Sequence, residues 1–254
     1  AGGIMLPNHS PLVIAEQFGT LASLFPGRID LGLGRAPGTD QLTAHALRRN
    51  LESSANDFPR DVVELLNYFK PADPAQRVQA VPGAGLNVPV WILGSSLFGA
   101  QLAAMLGLPY GFASHFAPAD MERAVDLYRE RFEPSEYLQK PYVMLGLNVI
   151  AADTDEEAHY LFTSQLQAFV NLRSGRPGKL PAPVAGYQEQ LDPSAQALVR
   201  QMLSCRVVGG PETVDKGIRE FAERTGADEL MVTGMIYDHQ KRLRSYEIVS
   251  NSMA

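Results

Sequence analysis

Two adjacent serines that directly follow an apolar run, Gly94-Ser95-Ser96, are the first residues whose spacing could do chemistry. A turn of this composition opening a helix offers backbone N–H groups, two hydroxyls and the positive end of a helix dipole to one anion. Phosphate is the natural ligand. Arg35 closes a second apolar run, where a guanidinium suits a phosphate or another oxyanion; a loop arginine in a surface ion pair is the plainer alternative. Ser114-His115 and Thr233-Gly234 close two more runs. His115 could face a ligand or transfer a proton, although a lone histidine often serves only as a structural hydrogen bonder. His9, His45, His159 and His239 show no metal-ligand spacing. The single cysteine, Cys205, excludes an intramolecular disulfide and a thiolate cluster. Gly32, Gly34 and Gly38 are spaced G-x-G-x-x-x-G, which is not the dinucleotide fingerprint, and no P-loop, Ser-His-Asp order or carboxylate dyad stands out.

The elements that must position these residues alternate persistently. Val88, Val90, Ile92 and Leu93 form a buried-strand pattern, Leu97–Leu106 a helix with Leu102, Met105 and Leu106 inside, and Tyr110–Ala113 the next strand. A short-looped crossover of this kind demands a parallel sheet, whose ligand sites lie at the carboxyl ends of the strands. Ser10-Pro11 predicts a capped helix start followed by Leu12, Ala15, Phe18, Ala22 and Phe25 at helical spacing. Ile29, Leu31 and Leu33 alternate as a strand that leads into Arg35. Helices are expected over Thr43–Leu51, Pro59–Phe69, Pro118–Phe132, Pro193–Leu203, Pro211–Arg224 and Gln240–Ser250, with strands at Tyr142–Ala151 and Glu229–Thr233. Thr154-Asp155-Glu156-Glu157 is a capping box for a helix that reaches about Leu172. Between Ser174 and Tyr187 the composition shifts to Gly, Pro and small residues, an exposed loop insertion.

The strand-like runs near positions 3, 30, 91, 111, 145 and 231 number six, whereas a closed (β/α)₈ barrel needs eight. The pattern fits either an open doubly wound sheet or a barrel whose first two strand-helix units lie upstream of residue 1. AGGIMLP reads as a strand without a preceding turn or cap, which favours the second. The expected architecture is a single N-terminally truncated (β/α)₈ TIM-barrel domain over residues 1–254. At 254 residues and 45% hydrophobic the chain can bury a full core. A formal charge of −6 with scattered Lys and Arg argues against nucleic-acid or anionic-membrane partners, and no apolar run is long enough to span a bilayer. A reducing, cytoplasmic setting fits the lone cysteine.

At AGGIMLPNHSP, PGRIDLGLGRAPG, FPRDVVEL, VPVWILGSS and VVGGPETVDKGIREFAERTGADELMV the chain resembles the bacterial-luciferase-like flavin monooxygenases. Their bacterial branch shares the SHFAP and DTDEEA segments found at 114–118 and 153–158. The resemblance implies a (β/α)₈ barrel that takes reduced FMN from a separate flavin reductase and oxygenates a small organic substrate with molecular oxygen, on paired donors. It also implies a homodimer. Carried over by position, Arg35 and Arg60 would hold the flavin phosphate with Gly94, Ser95 and Ser96. Gly2-Gly3 would supply the strained peptide beneath the isoalloxazine ring. The family's acidic-His-His segment, source of its usual catalytic histidine, has no counterpart here; His115, at its strand end, is the catalytic candidate that the residues themselves offer. The substrate would sit over the flavin among the strand ends at Gly34, His115 and Thr233, with the 174–187 loop as its cover. A deazaflavin (F420)-dependent hydride-transfer enzyme is the alternative of the same chemistry, and a non-catalytic flavin-binding or dimer-partner protein the alternative of a different class.

Overall fold

A computed structural model describes residues 3–36 and 51–252, the side chains of 51–56 excepted. Gly2 and most of the helix expected over Thr43–Leu51 lie outside the described residues. The chain packs into two compact units, residues 1–111 with 123–142 and residues 112–122 with 143–254.

In the first unit β1 (Ile4–Met5), β2 (Leu31–Gly34) and β3 (Val90–Gly94) run parallel in that order. The register sets Met5 opposite Gly34 and Gly34 opposite Leu93, so the three carboxyl ends lie level. β4 (Tyr110–Phe112) follows, its approach bonded to β3 by Ile92 N–H donating to the Pro109 carbonyl at 3.0 Å. Leu31, Leu33 and Ile92 are fully buried, as the apolar runs require.

Helix α1 (Pro11–Leu24) starts at Ser10-Pro11 as expected, but the Ser10 hydroxyl makes no capping bond. Its buried stripe is Ile14, Ala15 and Phe18 rather than one ending at Phe25, which is half exposed. The rotation follows from Gly19: a Cβ there would lie 2.3 Å from the Pro82 carbonyl oxygen, so the 80–83 loop presses directly on the helix backbone. Helix α2 (Leu51–Phe69) begins well before the expected Pro59. Proline favours a first turn, yet Phe58 is buried with Val62, Leu65, Leu66 and Phe69, so the apolar stripe continues through Pro59 and tertiary packing overrides the local start signal.

Helix α3 (Leu97–Leu106) has its expected bounds and ends at Gly107 in the left-handed region, where a Cβ would meet the Glu133 carbonyl oxygen at 2.5 Å. Its buried face is Gly99, Ala100, Leu102, Ala103 and Ala104, while Met105 is exposed. Small residues win that face because β3 and Tyr110 approach too closely for larger ones. Helix α4 (Met121–Glu130) is shorter than the expected Pro118–Phe132.

In the second unit β5 (Val143–Ala151) pairs in parallel with β7 (Glu229–Thr233) along Met144–Asn148 and with β6 (Arg206–Gly209) along Asn148–Ala151. Asn148 therefore stands opposite both Thr233 and Arg206. The sequence reading lacked β6; a four-residue RVVG run carries too little alternation to show without its ladder to β5. Helix α5 (Asp155–Arg173) opens at Thr154, whose hydroxyl accepts from Glu157 N–H at 3.2 Å, half of the expected capping box.

After α5 come a single helical turn α6 (Tyr187–Gln190), α7 (Pro193–Met202), α8 (Pro211–Thr225) and α9 (His239–Ser252). Ile150, Leu161, Phe162, Leu166, Val199 and Leu203 form the core between α5, α7 and β5. Ser245 of α9, itself buried, accepts from Ala151 N–H at 2.9 Å and so satisfies the end of β5. Asp155 accepts from Gly210 N–H at 2.6 Å and from the Thr213 hydroxyl at 3.2 Å, joining the starts of α5 and α8. The Gly210 N–H, then Thr213, hold its carboxyl below the ordinary carboxylate range.

Candidate active site

The anion-binding residues expected from sequence meet at the level strand ends of the first unit. Gly34 is opposite Leu93, so Arg35 and Gly94 leave neighbouring strands at the same height. The Arg35 guanidinium lies 4.0 Å from the centre of the Phe98 ring, in the first turn of α3. That contact holds the cation beside the helix N-terminus, whose first N–H groups have no intrahelical acceptor.

Ser95 and Ser96 are both exposed. Ser96 occupies the N-cap position of α3 in extended conformation, but its hydroxyl makes no capping bond. Its carbonyl instead accepts from the Tyr110 hydroxyl at 3.2 Å, which fixes the turn from below. Burial pushes the Tyr110 phenol well above its ordinary value, so it remains a donor. The close packing depends on glycine: a Cβ on Gly99 would stand 3.3 Å from Cε2 of Tyr110, and one on Gly94 3.8 Å from the Gly99 Cα.

Gly3 precedes β1 with φ +123°, a conformation side-chain-bearing residues rarely adopt, and a Cβ there would touch Cδ1 of Leu93 at 3.4 Å. Its partner in the expected strained peptide, Gly2, lies outside the described residues. Arg60 stands apart. Its side chain is 76% exposed on α2 and its NH2 group lies 3.6 Å from Asp57, a weak surface pair.

His115 anchors a separate polar group in the second unit. Its ring packs onto the backbone of Gly146, where a Cβ would come within 2.2 Å of Nδ1. Phe116 meets it edge to face with centroids 5.0 Å apart. The Nδ1 atom is buried and, among the described residues, has no hydrogen-bond partner. Burial lowers the imidazole below its ordinary value, so it is neutral at pH 7.

On either side of the ring the backbone is tied to β5. The Ser114 hydroxyl donates to the Gly146 carbonyl at 2.6 Å, and the Asn148 amide donates to the His115 carbonyl. Gln165 of α5 donates from Nε2 to Asn148 Oδ1 at 2.8 Å. Because Thr233 is opposite Asn148, the unit gathers His115, Asn148 and Thr233 around the Asn148 position of β5. Asn148 and Gln165 were missed in the sequence, although one polar residue in VMLGLNVIA was a visible signal.

The Gly/Pro-rich loop lies along α5. Val184 N–H donates to the Thr163 hydroxyl at 2.9 Å and Gln167 Nε2 to the Ala182 carbonyl at 2.8 Å. Gly175 and Gly186 at its ends have φ of +69° and +66°, turns that glycine makes without strain. Among the described residues no cluster of metal-binding side chains occurs, and no helix is long and apolar enough to cross a membrane.

Comparison with known proteins gives this geometry its context. A family model described as luciferase-like monooxygenase matches residues 1–229. Over 248 residues the chain is 56% identical to a luciferase-like monooxygenase of Escherichia coli K12, covering 98% of this chain and 74% of the relative. The crystal structure of apo-MsnO8 superimposes with TM-score 0.90 at 34% identity over 100% of this chain and 76% of the other. Two more distant structures show the fold alone. The oxygenating constituent of 3,6-diketocamphane monooxygenase from a Pseudomonas putida plasmid, in complex with FMN, gives TM-score 0.65 at 18% identity, covering 100% and 78%. An F420-dependent secondary alcohol dehydrogenase with an F420-acetone adduct gives 0.66 at 14%, covering 97% and 76%.

Proposed function

The chain belongs to the luciferase-like monooxygenase family, its parallel strands and surrounding helices making an unclosed part of that family's (β/α)₈ barrel, and from that premise we propose that it is an FMN-dependent monooxygenase oxidising a small organic substrate. The observation that carries the cofactor is the donor set at the β3–α3 turn. A guanidinium held over Phe98, an N-cap hydroxyl that makes no capping bond and the open N–H groups of α3 fit a phosphate dianion in both charge and hydrogen-bonding sense. Arg35, Ser95 and Ser96 would hold it, Gly94 would keep the turn close, and Arg60 would add long-range attraction.

Reduced FMN, when bound, supplies the electrons with which molecular oxygen is activated, the flavin and the substrate being the paired donors. What the chain itself contributes is positioning and exclusion of water. Gly3, with no side chain and a backbone few other residues adopt, would leave room for a flat ring to approach the start of β1. His115, held neutral by burial, would take a proton through the part of its ring that is not packed on Gly146, its buried Nδ1 being closed to a ligand. The loop at 174–187, anchored on α5 through Thr163 and Gln167, would serve as the cover that keeps water from the substrate.

A separate flavin reductase supplies the reduced cofactor, and the cytoplasm, where such reductases work, is the compartment. The chain acts as a homodimer; light scattering that shows a dilution-resistant monomer would overturn that part. The second reading, hydride transfer with F420, is compatible with this fold, which an F420-dependent enzyme also has. Titration of oxidised FMN and of F420 against the protein, followed by flavin fluorescence, separates the two. Saturable FMN binding is expected; binding of F420 with no FMN binding would replace the proposal, and binding of neither would overturn both.

A further inference from the structure

We propose that Asn148, braced by Gln165, is a positioning residue that fixes how His115 is held against β5. The inference rests on the reading of His115 as an active-site group and goes beyond it by naming what holds that group.

The orientation of the Asn148 amide is dictated by its neighbours. Its Nδ2 faces two carbonyls, that of His115 and, at 3.5 Å, that of Cys205, and both can only accept. Oδ1 must then meet a donor, and Gln165 Nε2 is that donor at 2.8 Å. Both amides are buried, Asn148 at 2% and Gln165 at 1% exposure, so each bond acts in a low dielectric and is costly to leave unmade. Apolar residues fill the remainder of β5, where Leu145, Leu147 and Val149 are buried on the opposite face. The Asn148 amide in such a strand is held by its partners rather than by its burial, with Gln165 of α5 on one side and the His115 backbone on the other, while Gln165 Oε1 is left without a partner among the described residues.

No hydrogen bond at Nδ1 orients the ring, because that buried atom is unpartnered among the described residues. Its direction is therefore set by packing on Gly146 and Phe116 and by the backbone clamp. The Ser114 hydroxyl grips one side of the ring and the Asn148 amide the other, both bonded across to β5. Releasing the Asn148 side frees the His115 peptide to turn and the imidazole to leave its buried seat. Gln165 acts one step further out: without its Nε2 donor, Asn148 Oδ1 is orphaned and the amide is free to rotate. The charge state of the ring reports this directly, since desolvation is the cause of its lowered titration and no charged side chain among the described residues contributes.

The test uses the whole chain and its five histidines as internal controls. Imidazole titrations by NMR are recorded for the parent, Asn148→Ala and Gln165→Met. The expected result is that His115 alone moves up toward 6.5 in both variants, more in Asn148→Ala, while the other histidines keep their curves. A companion measurement follows hydrogen peroxide release from reduced FMN in air. Asn148→Ala should speed release in the parent background and add nothing in a His115→Ala background, because the effect passes through His115.

An unchanged His115 titration in both variants overturns the proposal. If Asn148→Ala does not fold, the Gln165→Met titration decides by the same criterion. Should His115→Ala leave peroxide release unchanged while the variants still shift the His115 titration, the active-site reading of His115 fails and the positioning inference stands.

Discussion

Replacing Arg35 with alanine removes a cation that the structure places beside the N-terminus of α3. A guanidinium bonded to a phosphate is a charge-assisted contact worth about 1.5–3 kcal/mol, so FMN affinity should fall roughly ten- to hundredfold. The loss of the ring contact with Phe98 acts on the fold rather than on the ligand, at about 0.5–1 kcal/mol for an exposed pair. Arg35→Lys keeps the charge but loses the planar fork and should fall between parent and alanine. Ser96→Ala separates ligand binding from helix capping. An N-cap hydroxyl normally contributes about 1 kcal/mol to its helix, but that of Ser96 makes no capping bond, so its removal should weaken FMN while leaving the melting temperature in place. The assay is quenching of flavin fluorescence on titration, with circular dichroism melts run beside it. Parent affinity in both Arg35→Ala and Ser96→Ala would refute the argument.

Gly146→Ala would bring a methyl group within 2.2 Å of His115 Nδ1, so the ring must leave its seat; overpacking of this kind costs about 1–3 kcal/mol in urea unfolding, and parent-like stability with an unmoved His115 resonance would contradict the packing. Gly19→Ala meets backbone at 2.3 Å rather than a side chain that can yield, so a loss of about 1–3 kcal/mol or more is expected in the same assay, with no change contradicting the close approach of the 80–83 loop. The lowered titration of His115 sets a pH dependence. Its stabilising contribution is complete above the unfolded value of 6.5 and is lost as pH falls from there through the folded value, because the unfolded chain takes up the proton first. Urea midpoints at successive pH values below 6.5 should fall more steeply for the parent than for His115→Gln, and equal slopes would count against a buried neutral ring.

The alternation of strand and helix was legible because each element carries its own period, and the bounds of α3 and β7 coincide with the sequence reading. The neighbouring positions of Gly94-Ser95-Ser96 and Arg35, proposed to bind the anion, were legible for the same local reason, since both stand at the ends of apolar runs. What depended on distant partners was not. Gly19 reads as a weak point in a helix until Pro82, 63 positions on, is seen lying against it. Met105 looks like core until Tyr110 claims the close face of α3 for small residues. The amide chain joins Asn148 to residues 17 and 33 positions away, separations at which one sequence carries no pairing signal. Pro59 misled because its local preference for a helix start was outweighed by the buried stripe through Phe58 and Val62.

The central claim, that a phosphate-bearing flavin is held by its phosphate at the start of α3, is tested most directly by comparing FMN with riboflavin on the unaltered protein. The two differ only in the phosphate, so calorimetric titration isolates the contribution of Arg35, Ser95, Ser96 and the helix terminus. Two or more charge-assisted contacts at about 1.5–3 kcal/mol each predict FMN tighter by at least ~100-fold, with the advantage shrinking as salt is raised. Equal affinities for FMN and riboflavin, at any salt concentration, would contradict the account.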